Sequence, residues 1–363
     1  MDQRTELGFY TLAGHSSSPR DLVDEVRTAE ALGLGSAFIS ERFNLKDACT
    51  LAGAAGAVST SLGIATAATN HNTRHPLVTA TFATTMHRLT EGRFSLGLGR
   101  GFDMLFAVMG LPPVTRAQLD DVVGILRRLW KGEMVMGHDG PAGRYPLLNQ
   151  DAAFDFAIPI LLTALGERTL EFAGGLADAV VLHTFFTDDT LSRSVAAVRR
   201  GAERAGRDPE SVRVWSVLAT VGDHLPEEVR LRKLVGRFAT YLQGYGDLLV
   251  SVNGWDPAAL ATIRANDVFA HPPGAFDAVG TIAQLETLAE VIPAEWLAAA
   301  AVGSPAQCVA RIADQFAAGA DSVILHGATP TELEPILAAY RAQPPSGIVR
   351  SLPANPGWMT APG

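Results

Sequence analysis

Eight short apolar or β-branched runs recur along the chain: LGFYTLAG from Leu7, SAFISE from Ser36, LGIATAAT from Leu62, RFSLGLG from Arg93, IPILLTA from Ile158, DAVVLHT from Asp178, VRVWSVLATV from Val212 and DSVILHG from Asp321. Most are continuously apolar, the pattern of strands covered on both faces, and the stretches between them have helical spacing. Strand and helix in alternation predict an α/β fold with a parallel sheet. Helix ends are marked as well. Ser18-Pro19-Arg20-Asp21 opens a helix whose stripe is Leu22, Val26 and Ala29 and whose stop is Gly33. Thr115-x-x-Gln118 and Ser304-Pro305-Ala306-Gln307 open two more as capping boxes, closed by Gly132 and Gly319.

Three segments fall outside the repeat: a Gly/Pro/Asp loop region at 133–157, a helical insertion at 223–302, and a Pro-rich tail at 344–363. What remains of the 363 residues is close to the roughly 250 of a (β/α)8 barrel. The expectation is therefore a single TIM-barrel domain over 1–343 with an insertion, followed by the tail. A hydrophobic content of 47% supplies a sizeable core and excludes wholesale disorder. The net charge of −9 argues against a broad nucleic-acid or anionic-membrane surface, which needs clustered cations. Only Cys49 and Cys308 are present, so neither a disulfide framework nor a thiolate zinc site is supported. The polar N-terminus without an apolar signal segment, and the lack of a long uncharged apolar run, lead us to expect a cytoplasmic protein.

Sites in such barrels lie at the C-terminal strand ends. The candidates are Gly14-His15, Glu41-Arg42, the loop 69–75, the turn 99–103, the loop 164–166, and His183-Thr184, with His326 on the last run. Gly97, Gly99 and Gly101 suit either a backbone approach to an anion or a tight turn. Asp120 and Asp121 have the spacing of a dinucleotide fingerprint but sit inside a helix. His71 and His75 are four apart, but Asn72, Thr73 and Pro76 make a loop there, so capping is expected and a metal is not. The acid-cation pair Glu41-Arg42 suits proton relay or a rim salt bridge, and His183 is a titratable site group or a satisfied rim histidine. Met104, Phe106 and Met109 line a pocket or a helix core.

The combination of SERFN at 40–44, TNHNTRHPLVTATFATTMHRLTEGRFSLGLGRG at 69–101, RLWKGE at 128–133 and GSPAQCVARIADQFAAGADSVILHG at 303–327 resembles the bacterial luciferase-like superfamily. Within it the chain is most similar to actinobacterial oxidoreductases that use the deazaflavin coenzyme F420. The resemblance covers residues 6–342. It implies a (β/α)8 barrel, usually homodimeric, that transfers a hydride between F420 and a small organic substrate. It also implies a non-prolyl cis peptide backing the ring at Ala67-Ala68, with Thr69 and Asn70. The coenzyme phosphate would lie at Gly99, Arg100 and Gly101 and near Ala164, Leu165 and Gly166, with Arg74 and Arg168 as further cations. Glu41 is the first choice for an active-site polar group, Arg42 for orienting it or binding substrate, and His183 for a reserve proton donor. Relatives have Asp-His where this chain has Glu41-Arg42, Glu where it has Phe102, and Trp where it has Lys46, which puts sugar-phosphate and simple alcohol activities in doubt. The alternatives are an FMN-dependent monooxygenase and a non-catalytic flavin-binding barrel; a metal-dependent hydrolase is the most remote.

Overall fold

The computed structural model describes residues 3–13, 18–101, 103–151, 153–345 and 351–360. Gly14, His15 and Phe102 lie outside these residues. The strands are β1 (Arg4–Tyr10), β2 (Leu34–Ile39), β3 (Gly63–Thr66), β4 (Phe94–Leu98), β5 (Val135–Gly140), β6 (Gly143–Leu148), β7 (Ile160–Thr163), β8 (Ala179–Val181), β9 (Arg213–Gly222), β10 (Ala301–Gly303) and β11 (Ser322–His326). All eight apolar runs become strands. They neighbour one another in the order β1-β2-β3-β4-β7-β8-β9-β11 with β11 back on β1, a closed (β/α)8 barrel.

The chain divides into two compact units. The unit made of residues 35–181, 197–213 and 352–363 carries β2, β3, β4, β7 and β8, in parallel register through pairs such as Phe38 with Ala65, Ile64 with Phe94 and Leu162 with Val180. The helices Ala48–Val58, Pro76–Leu89, Arg116–Trp130 and Glu167–Leu176 belong to it. Phe38, Phe94, Leu129 and Trp130 are buried in it, each contributing roughly 1.5–3 kcal/mol or more by leaving water. Thr115 caps the third helix in a complete capping box, as its sequence predicts. A Cβ on Gly97 would sit 1.8 Å from the Thr66 carbonyl oxygen, so only glycine lets β4 lie there.

Residues 133–157 are not only a loop. They hold an antiparallel hairpin, β5 with β6, turned at Pro141-Ala142 between paired Gly140 and Gly143. The turn-forming residues hid the strands from a reading by composition. Asp121 anchors this hairpin, accepting from the Ala142 N–H at 2.8 Å and bonding His138 Nε2 at 3.0 Å, which excludes a dinucleotide role for it. The tail also packs. Asn355 is buried, donates from Nδ2 to the carbonyls of Gly92 (2.6 Å) and Phe94 (3.0 Å), and accepts from Ser95 Oγ and from the Gly357 N–H. The buried Arg213 guanidinium donates to the carbonyls of Pro353, Asn355 and Trp358.

The other unit comprises residues 1–34, 182–196 and 214–351. The helix Asp21–Ala31 buries Leu22, Val26 and Ala29 as its stripe dictates and stops at Gly33, φ 77°. It starts later than expected: Ser18 Oγ accepts from the Arg20 N–H, and Ser18-Pro19 form the preceding turn instead of its first turn. Ser304 completes a capping box with Gln307. The 223–302 insertion is helical, as expected, with Arg237–Asn253, Pro257–Ala265 and Ile282–Val291 its longest helices. It packs through stacked Trp255 and Trp296 (centroids 4.7 Å) and a buried Arg237-Asp277 ion pair at 3.5 Å.

Candidate active site

In the unit carrying β2 to β8, the chain leaves β3 through a bulge tied down on two sides. Towards β2, Ala67 N–H donates to the Ile39 carbonyl at 2.8 Å and Glu41 N–H donates to the Ala68 carbonyl at 3.2 Å. Towards β4, Thr69 N–H reaches the Gly97 carbonyl at 3.0 Å and Gly99 N–H reaches the Thr69 carbonyl at 2.9 Å. The Ala67-Ala68 peptide within it is cis, at the position the resemblance implies.

Glu41 sits beneath the bulge with a side chain only 5% exposed. Its Oε2 accepts from Thr69 Oγ1 at 2.5 Å and Arg74 Nη1 at 2.7 Å, and its Oε1 accepts from the Ala48 N–H at 3.2 Å. The cation on Glu41 is thus Arg74, not its sequence neighbour Arg42, whose backbone N–H turns to the Lys46 carbonyl at 3.1 Å. Arg74 also pairs with Asp47. Burial raises the Asp47 pKa, but hydrogen bonds from Thr50 and the Arg74 guanidinium outweigh it and hold the carboxyl below its ordinary value. A cavity of ≈480 Å³ opens over this network, walled by Phe43, Leu45 and Met109 and floored by Glu41, Arg74 and Asp47.

Asn70 is 3% exposed; its Oδ1 accepts from the Thr73 N–H at 3.0 Å, while its Nδ2 is a buried donor with no partner among the described residues. His71 beside it buries both ring nitrogens without hydrogen-bond partners among the described residues, and burial lowers its pKa. His75 caps the helix Pro76–Leu89, accepting from the Leu77 N–H. No group of metal-ligating side chains occurs among the described residues.

At the turn after β4, a Cβ on Gly99 would come within 2.6 Å of Thr163 Oγ1 and 3.2 Å of Ala68 Cβ, so the absence of a side chain lets the turn pack closely against the bulge. Gly101 has φ 65° and carries the close approach of the buried Phe106 ring, while Met104 and Met109 are exposed. Arg100 spends Nε on the Val114 carbonyl at 2.7 Å, and its terminal amino groups make no hydrogen bond among the described residues. Ala164 N–H bonds the Val181 carbonyl, Leu165 is half-buried, and Gly166 precedes the helix Glu167–Leu176, whose first N–H groups lack helical partners. Arg168 is exposed on that helix. Ala67, Ala68, Thr69 and Asn70 are thus brought together with Gly99. Sequence reasoning missed Arg74 as the partner of Glu41 and Asn70 Nδ2 as an open donor; the first has no periodic signal, being 33 residues away.

His183 lies in the other unit. The turn after β8 carries Phe185 at φ 60°, held by the Phe238 ring (4.8 Å) and by Asn253 Nδ2 donating to its carbonyl at 3.0 Å. This directs His183 against Tyr241 and Tyr245, ring centroids 5.0 and 4.9 Å away. Its Nδ1 is 2.8 Å from the Thr184 carbonyl oxygen and its Nε2 is 2.5 Å from the Tyr245 hydroxyl. Burial depresses its pKa to about 4, opposed by the bond to Thr184. Tyr10 and His326 meet edge to face at 5.1 Å, and His326 stacks at 6.4 Å on Tyr241.

A family model described as luciferase-like monooxygenase matches residues 5–322. Among similar proteins, the 5,10-methylenetetrahydromethanopterin reductase of Methanolobus tindarius is 28% identical over 243 residues, spanning 65% of this chain and 72% of the relative. Among solved structures, the coenzyme F420 dependent tetrahydromethanopterin reductase from Methanopyrus kandleri superposes with a TM-score of 0.75 at 19% identity, covering 92% of this chain and 97% of that one. An F420-dependent secondary alcohol dehydrogenase in complex with an F420-acetone adduct gives 0.69 at 17% identity, covering 97% and 100%. With a family match over most of its length, this chain belongs to the luciferase-like monooxygenase family.

Proposed function

We propose that this protein is a coenzyme F420-dependent oxidoreductase that transfers a hydride between the deazaflavin and a small organic substrate. The observation that carries the reading is the bulge after β3: it is fixed by backbone bonds on two sides, offers at Asn70 Nδ2 a buried donor with no partner among the described residues, and packs closely against the side-chain-free turn at Gly99. A flat ring with carbonyl acceptors fits such a surface, with Ala67 and Ala68 behind it, Thr69 shaping the bulge and Asn70 donating to it. Gly99, Arg100 and Gly101 would hold the phosphate, with Ala164, Leu165 and Gly166 presenting helix-terminal N–H groups to it. Reductase and dehydrogenase relatives that carry F420 in their names support this cofactor over FMN.

When bound, the deazaflavin supplies two-electron hydride chemistry, so the protein must hold ring and substrate together and move a proton. Glu41, engaged by Thr69, Arg74 and Ala48, holds the bulge in place; His183 is the group assigned to proton movement, and Arg42 to substrate contact. A homodimer in the cytoplasm is the proposed setting, which light scattering and fractionation check. Fluorescence titration tests the cofactor: F420 should bind tightly, Asn70→Ala should weaken it by about tenfold, the value of one lost hydrogen bond, and tight FMN binding without response to F420 would overturn the proposal.

A further inference from the structure

Asn70 presents its open donor because of how its loop is closed. The Thr73 N–H (3.0 Å) and hydroxyl (3.3 Å) meet the same atom of the Asn70 amide, and an N–H only donates, so that atom is the oxygen. Nδ2 therefore faces away from Thr73, at a buried position where no described residue accepts from it. The turn from Asn70 to Thr73 carries the chain back, so that Arg74 Nη1 meets Thr69 Oγ1 at 2.9 Å and the loop 69–74 closes on itself. The Thr69 oxygen accepts there because its hydrogen goes to Glu41 Oε2. The same guanidinium reaches Glu41 at 2.7 and 3.4 Å and pairs with Asp47, whose other oxygen caps the helix Ala48–Val58 by accepting from the Thr50 N–H at 2.7 Å. Both ends of the loop are thus tied to two carboxylates at the start of a helix. All of these residues belong to the unit carrying β2 to β8.

We propose that Arg74 is a positioning residue for the coenzyme: by clamping the loop 69–74 against Glu41 and Asp47 it holds Asn70 Nδ2 as a preformed donor, and it acts through Asn70 rather than as a cation for the phosphate. The inference rests on the coenzyme reading and revises one part of it, since the resemblance makes Arg74 a further cation for the coenzyme phosphate. Two carboxylates already compensate its guanidinium, so it brings no net charge to an anion. Its shape is what the loop uses. Nη1 serves Glu41 and Thr69 while Nη2 serves Asp47, a spread of partners that the single nitrogen of a lysine cannot span. The pair is sheltered, with the Arg74 side chain 17% exposed and that of Glu41 5%, so solvent competes little for these bonds. A donor held in place before binding needs no ordering when the ligand arrives, and that saving appears as affinity.

Two measurements on the full chain test this. In fluorescence titration with F420, Arg74→Lys should weaken binding about tenfold although the charge is kept, and Asn70→Ala in the Arg74→Lys background should add about twofold or less, because the donor it removes is no longer held. Losses that multiply independently overturn the proposal, and so does an Arg74→Lys variant that binds F420 as the wild type does. Asp47→Ser keeps a capping hydroxyl but is too short to reach Arg74, so it should show the same coupling to Asn70→Ala with a smaller loss. It decides the matter in the same way if Arg74→Lys fails to fold. The second measurement needs no coenzyme. Amide exchange at the Thr73 N–H should be about tenfold faster in Arg74→Lys than in the wild type, while the Leu96 N–H, bonded to the Pro159 carbonyl between barrel strands, exchanges unchanged. A Thr73 amide indifferent to Arg74→Lys overturns the clamp. A wild type that fails to bind F420 overturns the coenzyme reading and this role with it, while exchange at Thr73 still decides whether Arg74 closes the loop.

Discussion

Neutral histidines set how this protein answers to acid. His183, pushed to about 4 by burial, lies below the roughly 6.5 of an unfolded histidine, and His71 and His87 are lowered for the same reason. Between those two values the unfolded chain binds protons that the folded chain refuses. The stabilisation is therefore complete above about pH 6.5 and is lost as pH falls towards 4. Urea unfolding at pH 7 and pH 4.5 should show a loss on the order of 3 kcal/mol from His183 alone, smaller in His183→Gln. A wild-type midpoint that does not move would refute it. Such behaviour could not be read from the sequence, where His183 is a polar residue at a strand end; its pKa is lowered by burial against the opposing bond to Thr184, and the ring that packs on it, Tyr245, is 62 residues on. The Glu41-Arg74 pair was hidden for the same reason: Arg42 is the neighbour in sequence, Arg74 the neighbour in space.

Helices were legible where their signals are local. Thr115 with Gln118 and Ser304 with Gln307 form the boxes their spacing announces, because a cap is decided within four residues. Ser18 misled because its hydroxyl holds the Arg20 N–H in the turn before the helix, which begins at Asp21. Close helix crossings carry no such local mark. The helices Glu167–Leu176 and Asp188–Arg204 meet glycine to backbone in both directions: a Cβ on Gly174 would be 2.0 Å from the Val198 carbonyl oxygen, and one on Gly201 would be 1.9 Å from that of Glu171. Helix propensity favours Gly201→Ala by about 1 kcal/mol. The crossing opposes it, since backbone must move, at a cost of about 1–3 kcal/mol or more. Chemical denaturation should therefore find Gly201→Ala destabilised; a stabilised variant would mean that the helices separate at no cost.

At the scale of the molecule, the count of apolar runs and the length left after three exceptions identified the barrel, because strands covered on both faces must be continuously apolar. The tail was legible only as a remainder, since Pro and Asn give it no period. Yet Asn355 satisfies backbone groups at 92–94 and Arg213 binds three carbonyls of the tail. Asn355→Ala should leave several of these buried groups unpaired at about 1–3 kcal/mol each, lowering Tm by several degrees. If residues 1–343 form one domain, as we propose, that loss should appear as a shift of a single transition. A separate early transition would show instead that the tail melts alone.

Asn355 has a further consequence, in time. Its partners Ser95 and Phe94 are 260 and 261 residues earlier in the chain. At a synthesis rate of roughly 5–20 residues per second, the start of β4 waits more than ten seconds for the side chain that satisfies it. During that interval, exposed backbone there is open to the wrong strand, so the nascent chain stays vulnerable at β4 until residue 355 arrives.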